Sequence, residues 1–152
     1  MDYTTLGRTG LRVSVLGLGG GGHSRLGRQT GSSEEESIAL VQRALDLGIN
    51  FIDTAEAYGT ETIIGQALRG RRREAVVLST KKTIHHQGTL IEPDEVRRGL
   101  EASLRRLQVA HVDVYHLHGV PADRYDFARE QLVPVLRQLR ERGKIRFLGI
   151  TE

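Results

Sequence analysis

The chain contains no cysteine. Disulfides, thiolate catalysis and cysteine-ligated zinc are therefore excluded. No apolar run approaches the ~18 residues needed to cross a bilayer. The opening Met1-Asp2-Tyr3-Thr4-Thr5 also lacks the basic-then-apolar order of a secretory signal. A cytoplasmic setting with no membrane partner is the expectation. Aromatic residues make up only 5% of the chain, and opposite charges nearly cancel to a net +3. A nucleic-acid surface needs basic residues gathered on one face, usually with aromatics on which bases stack. Here arginine is interleaved with glutamate, as in Glu95-Val96-Arg97-Arg98 and Arg140-Glu141-Arg142. These stretches read as solvated helix faces, Arg71-Arg72-Arg73 reads as a solvated surface turn, and no nucleic-acid partner is expected.

What is present is a soluble, globular composition: 152 residues, 38% hydrophobic and 27% charged, enough for one ordinary core. Residues 3–14 form a small hairpin, with Arg8-Thr9-Gly10 as its turn. Val15-Leu16-Gly17-Leu18 reads as a short apolar strand running into Gly19 to Gly22. Ser33 and Glu36 make a capping box that opens a helix. Ile38, Val41, Ala44 and Leu45 form its apolar face, and Gly48 ends it. A strand over 50–53 follows, then a helix over about 60–68 with Ile63, Ile64, Ala67 and Leu68 inward, stopped at Gly70. The continuous apolar run 75–80 is a parallel strand buried on both faces. His85, His86 and Gly88 fall on a loop, where both histidines read as solvated. Pro93 suits the first turn of a third helix, whose buried stripe is Val96, Leu100, Leu104 and Leu107. A strand over 112–117 precedes a loop through Gly119, Pro121 and Asp123. Leu132, Val135, Leu136 and Leu139 mark a fourth helix, in which Pro134 either kinks the path or marks a late start. Gly143 ends it, and 145–150 is a fifth strand. Strict alternation of strand and helix with short connections implies an α/β fold with a parallel sheet. No linker interrupts residues 1–152, so a single domain is expected.

The run Gly17-Leu18-Gly19-Gly20-Gly21-Gly22 satisfies G-x-G-x-x-G by letter. The dinucleotide fingerprint needs its last glycine in the first turn of a helix, so that the helix N-terminus meets the pyrophosphate. Here Gly22 lies well short of Ser33, and Asp53 lies too far along to bind the ribose in that motif. A loop that lets a ligand approach the backbone closely is the favoured reading.

Three successive strands end in an ionisable residue: Asp53, Lys81 and His118. Burying such groups costs several kcal/mol unless they are paired. Where strands alternate with helices in a barrel, the C-terminal strand ends converge on the face where chemistry sits. Tyr58, five residues past Asp53, can join them. The ordinary pKa of a tyrosine, about 10, is too high for ready proton release at neutral pH. An ammonium beside it favours the phenolate, and a carboxylate keeps that ammonium charged and oriented. An imidazole can then hydrogen-bond a substrate oxygen. That set suits a polarised carbonyl. Alternation along the strand places Lys81, with Val77 and Ser79, toward the barrel interior and Lys82 toward helices or solvent.

At these residues the chain resembles the aldo-keto reductase family. Asn50-Phe51-Ile52-Asp53-Thr54-Ala55-Glu56-Ala57-Tyr58-Gly59 is similar to the family's signature around its aspartate and tyrosine. Ile64-Gly65-Gln66-Ala67-Leu68 resembles the segment that follows. Leu78-Ser79-Thr80-Lys81 is similar to the lysine strand, and Asp113-Val114-Tyr115-His116-Leu117-His118 to the histidine strand. Gly143-Lys144-Ile145-Arg146-Phe147-Leu148-Gly149-Ile150 is similar to the fifth strand. The resemblance covers essentially the whole chain. It implies part of a (β/α)8 TIM barrel, with an N-terminal hairpin followed by five parallel strands and four helices. It also implies NADPH-dependent reduction of aldehydes and ketones. Tyr58 would be the general acid, Lys81 and Asp53 would tune it, and His118 would orient the carbonyl. Gly19, Gly20, Asp53 and Thr151 would lie along the cofactor, with Thr151 standing in for the family's serine after the fifth strand.

A complete barrel needs about 250 residues, so full activity is expected to need three further strands. The alternative expectation is an inactive piece that self-associates through its open strand edges. Asp53 and Lys81 also admit a purely structural reading as an ion pair. His116-Leu117-His118 mimics the H-x-H of barrel metallohydrolases, but no histidine follows His118. No metal site is expected, and His116 reads as an interior histidine held by a neighbour. His23 and Tyr115 carry no chemistry.

Overall fold

A computed structural model describes residues 1–86 and 88–152. Two strands, β1 (Tyr3–Thr5) and β2 (Arg12–Ser14), pair antiparallel as the opening hairpin. The strands β3 (Leu18–Gly19), β4 (Phe51–Asp53), β5 (Val77–Thr83), β8 (Val112–His118) and β9 (Ile145–Ile150) form one five-stranded parallel sheet in that order. Each crossover carries a helix. They are α1 (Glu34–Asp46), α2 (Glu61–Ala67), α3 (Pro93–Leu107) and a last helical path over 125–141. Parallel neighbours cannot be joined by a tight turn, so the strand–helix alternation dictates this arrangement.

The register sorts side chains onto two faces. Pairings of Ile52 with Leu78 and of Thr80 with Tyr115 place those residues on the helix-covered face. There Ile52, Leu78 and Tyr115 join the main core with Val41, Ile64, Leu100, Leu107, Leu132 and Leu136. Pairing of Ser79 with Val114 and of Val114 with Phe147 defines the opposite face. Val77 and Val114 on that face pack against Leu11 and Val13 of the hairpin, with Phe51 and Phe147 beside them. The hairpin therefore floors the N-terminal ends of the strands. Each fully buried aliphatic or aromatic side chain contributes about 1.5–3 kcal/mol, which makes the helix-covered core the dominant stabiliser.

The helix signals act as their chemistry requires. Ser33 and Glu36 form the reciprocal capping box, and Gly48 takes φ 91° past the end of α1. A second capping box, Glu92 with Glu95, spans Pro93 in the first turn of α3. Pro134 both permits a continuous path and distorts it. An α turn, α4 (Tyr125–Phe127), leads into a π turn, Ala128–Leu132, and then α5 (Val133–Glu141). The Val133 N–H donates to the Ala128 carbonyl five residues back, and this wider turn accommodates the missing proline N–H.

Four segments differ from the sequence expectation. Val15 and Leu16 are not in a strand and are 56% and 61% exposed. Parallel pairing begins only at Leu18, because Ser14 is diverted into reciprocal bonds with Asn50, Ser14 N–H to Oδ1 at 2.6 Å and Asn50 N–H to Ser14 Oγ at 3.1 Å. Strand β5 starts at Val77 and runs on to Thr83, since Arg73–Ala75 is drawn into a short 3-10 turn. His85 and His86 do not lie on an irregular loop; they form β6 (His85–His86), paired with β7 (Thr89–Leu90). Arg73 is no solvated turn residue: it donates to the carbonyls of Val76 and His111 and to the Asp113 carboxylate.

Candidate active site

Asp53 closes β4. Two buried residues, Thr54 and Ala55, lead into a single 3-10 turn, Glu56–Tyr58, which Gly59 ends at φ 72°. The preceding glycine run is packed against this turn. A Cβ on Gly21 would sit 2.7 Å from the Tyr58 ring, and one on Gly20 would sit 2.7 Å from the Thr60 hydroxyl. These glycines thus serve close packing against the chain's own side chains. Gly20 also donates its N–H to the Asp53 carbonyl at 2.7 Å and accepts the Thr60 hydroxyl at 3.1 Å, so both its polar groups are engaged internally. At Gly19 the Cβ position is open, with nothing within 4 Å.

Lys81 reaches across from β5. Its Nζ donates to Asp53 Oδ2 at 2.5 Å and to the Thr54 carbonyl at 2.8 Å. The ammonium lies 5.3 Å from the centre of the Tyr58 ring. The lysine is buried, whereas the Asp53 side chain remains 38% exposed. Ser79, two residues earlier on the same face, donates to Asp53 Oδ1 at 2.7 Å, and its hydroxyl lies 3.3 Å from His116 Nδ1. The carboxylate is therefore held on both oxygens. Lys82 faces the other way and pairs with Glu56 at 3.1 Å, as strand alternation requires.

His118 closes β8. Its ring meets the Tyr58 ring edge-on, with centroids 5.6 Å apart and planes at 89°. Burial, then the Lys81 charge, holds the His118 imidazole below its ordinary pKa, with Asp53 opposing. Burial and Lys81 lower His116 likewise. Both shifts favour the neutral imidazole, which can act as a hydrogen-bond partner without adding charge. Among the described residues His118 Nδ1 is buried without a partner. Thr151 follows β9 and is tied to the same rim: its carbonyl accepts from Val120 at 2.7 Å and its hydroxyl from Gly119 at 3.3 Å. Among the described residues no three His, Asp or Glu side chains converge as a metal site would require.

The four candidates Asp53, Tyr58, Lys81 and His118 are thus neighbours, although Lys81 does not end its strand as expected, since β5 runs two residues further to Thr83. The Tyr58 ring has an anchored ammonium and an imidazole as neighbours. A carbonyl oxygen placed there would meet a proton donor and a hydrogen-bonding ring at the point where negative charge develops. The residues not singled out beforehand are Thr54, whose signal was nil because it acts through its carbonyl, and Ser79, whose parity with Lys81 pointed to this face. Tyr115 is fully buried on the helix-covered face, and burial first, then Glu56 and Glu61, raises its ionisation far above the ordinary range.

Comparison with known proteins agrees with this fold. The chain is 35% identical to L-galactose dehydrogenase of Arabidopsis thaliana, with 99% of this chain and 48% of that protein covered. Its structure superposes on a thermostable aldo-keto reductase in complex with the inhibitor epalrestat, at a TM-score of 0.83 and 33% identity. That match covers 99% of this chain and 53% of the other. The holo form of an aldo-keto reductase from Bacillus halodurans gives a TM-score of 0.81 at 31% identity, over 99% of this chain and 50% of that one. The neighbours are TIM barrels of which this chain matches a part, and it spans 40–48% of the curated relatives it matches. The model of the Aldo/keto reductase family matches residues 15–152, and the chain belongs to that family.

Proposed function

We propose that this chain carries the proton-donating half of an NADPH-dependent carbonyl reductase that converts aldehydes or ketones to alcohols. One observation carries the reading. The Tyr58 ring lies 5.3 Å from the Lys81 ammonium and 5.6 Å from the His118 ring, with Lys81 fastened to Asp53 at 2.5 Å. In this reading Tyr58 gives its proton to the substrate oxygen. Lys81 stabilises the charge left on the phenol oxygen, and Asp53, itself held by Ser79, fixes the ammonium. Neutral His118 orients the carbonyl from the other side.

The rim suits a nicotinamide cofactor. Gly19 is open at its Cα, Asp53 is partly exposed, and His118 retains a buried ring nitrogen without a partner among the described residues. Gly19, Asp53 and Thr151 are the residues proposed to lie along it, and Gly20 contributes through packing. When bound, the cofactor supplies the hydride that reduces the carbonyl carbon, while Tyr58 supplies the proton and regains one from solvent. The substrate class is a small carbonyl compound, and residues 1–152 act as one partial barrel domain of a cytoplasmic oxidoreductase.

The test is NADPH oxidation with para-nitrobenzaldehyde. Tyr58→Phe should lower the rate by at least about a hundredfold, the usual contribution of a positioned general acid. Equal rates in the two proteins would remove Tyr58 from this role.

A second reading rests on the sheet edges. Strands β3 and β9 each have one neighbour among the described residues, and Val15, Leu16 and Ile150 are exposed beside them. Unpaired edges with apolar flanks favour association, so this reading has the chain acting only by self-association, without catalysis. Sedimentation at micromolar concentration should then detect oligomers, and a compact monomer would discard it.

A further inference from the structure

Strand β5 is gripped at two consecutive residues, once on each face. On one face Lys81 holds Asp53 and the Thr54 carbonyl. On the other, Lys82 Nζ donates to Glu56 Oε1 at 3.1 Å. The two anchors fasten residues 53, 54 and 56, and Tyr58 lies two residues beyond the second. Only the first anchor belongs to the proton-transfer site described above. The second has no place in it.

The outer pair is enclosed rather than loosely exposed. The Lys82 side chain is 17% exposed and that of Glu56 34%. Helix α3 crosses above it at Gly99, where a Cβ would stand 2.8 Å from Lys82 Cδ and 3.4 Å from Glu56 Oε2. That second carboxylate oxygen is buried and has no hydrogen-bond partner among the described residues. The carboxylate is therefore held by Lys82 and by packing. The turn that it opens is one 3-10 turn long and has no side-chain cap. A turn so short has little stiffness of its own, so its orientation depends on what fastens its first residue.

We infer that the Glu56–Lys82 pair is a positioning device: by clamping the start of the Glu56–Tyr58 turn to β5, it sets the distance between the Tyr58 phenol and the Lys81 ammonium. The inference rests on Tyr58 and Lys81 being the working pair. Its test reads the phenol directly and needs no turnover, so failure of the reductase reading and failure of this inference are distinguishable.

The chain has four tyrosines, no tryptophan and no cysteine, so its alkaline difference absorbance reports tyrosinate cleanly. The Tyr115 step is pushed up by burial and stands apart. Tyr58→Phe identifies the Tyr58 step. The charged or titratable groups facing Tyr58 are Lys81, with Asp53 behind it, His118, and Glu56 on its own turn. Glu56→Gln has two opposing consequences. Losing a nearby negative charge favours phenolate and moves the step to lower pH. Moving the phenol away from Lys81 moves it to higher pH. Positioning predicts a net rise. A fall, or an unmoved step with only a lowered melting temperature, overturns the inference. Glu56→Asp keeps the charge but shortens the reach, and Gly99→Ala presses on Lys82 with every charge retained. Each should also raise the Tyr58 step, and these variants decide the question if Glu56→Gln does not fold.

Discussion

Two aspartates anchor opposite ends of the same sheet, and their surroundings differ in kind. Near the N-terminal strand ends Asp113 is buried, and its carboxylate accepts from the Leu78 amide at 2.9 Å, from Arg73 at 2.7 Å and from Arg146 at 2.8 Å. Burial alone would raise its carboxyl pKa, but the Leu78 amide and the two arginines outweigh that and hold it below the ordinary range. At the C-terminal rim Asp53 has one ammonium and one hydroxyl, and over a third of its side chain stays in water. Its neighbours include a phenol, and an imidazole nitrogen buried without a partner among the described residues. At the lower site the carboxylate is buried and bonded on both oxygens, and Arg73 Nε is left buried without a partner among the described residues. The upper site keeps its anchored carboxylate partly in water. Exposure of an anchored charge at a strand end, rather than the presence of an ion pair or of an unpartnered polar atom, separates a site that can act on a ligand from one that holds the fold together.

The largest test of this contrast is Asp113→Ala. It removes a buried charge from two arginines and an amide, and breaking such a cluster costs about 3–5 kcal/mol. Urea unfolding at pH 7 should show a loss of unfolding free energy of that size. A shift of ~1 kcal/mol would mean that the cluster is solvated and that the contrast fails. Lys81→Met is the matching change at the rim. Asp53 stays bonded to Ser79 and partly hydrated, so the expected stability change is within about 1 kcal/mol, measured by the same unfolding. A loss as large as that of Asp113→Ala would make the Lys81–Asp53 pair a structural one.

The rim was legible in the sequence and the floor was not, for a physical reason. Alternation along β5 and β8 fixes which side chains share a face, so Lys81, Ser79, His116 and His118 could be assigned from parity alone. Helix faces were equally readable, because Val96, Leu100, Leu104 and Leu107 recur at helical spacing and all are buried. Asp113, by contrast, meets Arg73 and Arg146 at separations of 40 and 33 residues, and no periodicity links such positions. The same holds for Glu61, which is buried between Thr80 and Arg106. The β6–β7 hairpin escaped notice because strands of two residues carry no period. Val15 and Leu16 looked like strand residues because apolar letters alone cannot show that Ser14 and Asn50 bind each other first.

The smallest expected effect lies in the pH dependence, and it can be divided between the two ends. His116 and His118 at the rim and His111 near the floor all have their pKa lowered from 6.5, burial being the first cause for each, followed by Lys81 at the rim and Arg73 at the floor. A lowered folded-state pKa means that the unfolded chain binds protons first as the pH falls. The stability these rings contribute is therefore complete above pH 6.5 and declines as the pH drops below that value toward each folded-state pKa. Asp113 acts in the same direction but in a separate window. Its contribution is complete above its ordinary value of 3.8 and is lost only as the pH falls through the lowered one. Melting temperature should accordingly begin to fall as the pH drops through 6.5, with a further fall as it drops below the ordinary carboxylate value of 3.8. Replacing His116 and His118 together by glutamine should reduce the first decline and leave the second, whereas His111→Gln should remove only its own part. A protein that grows more stable from pH 7 to pH 5 would show that the rim histidines are charged in the folded state, and the neutral imidazole assigned to the carbonyl would have to be given up.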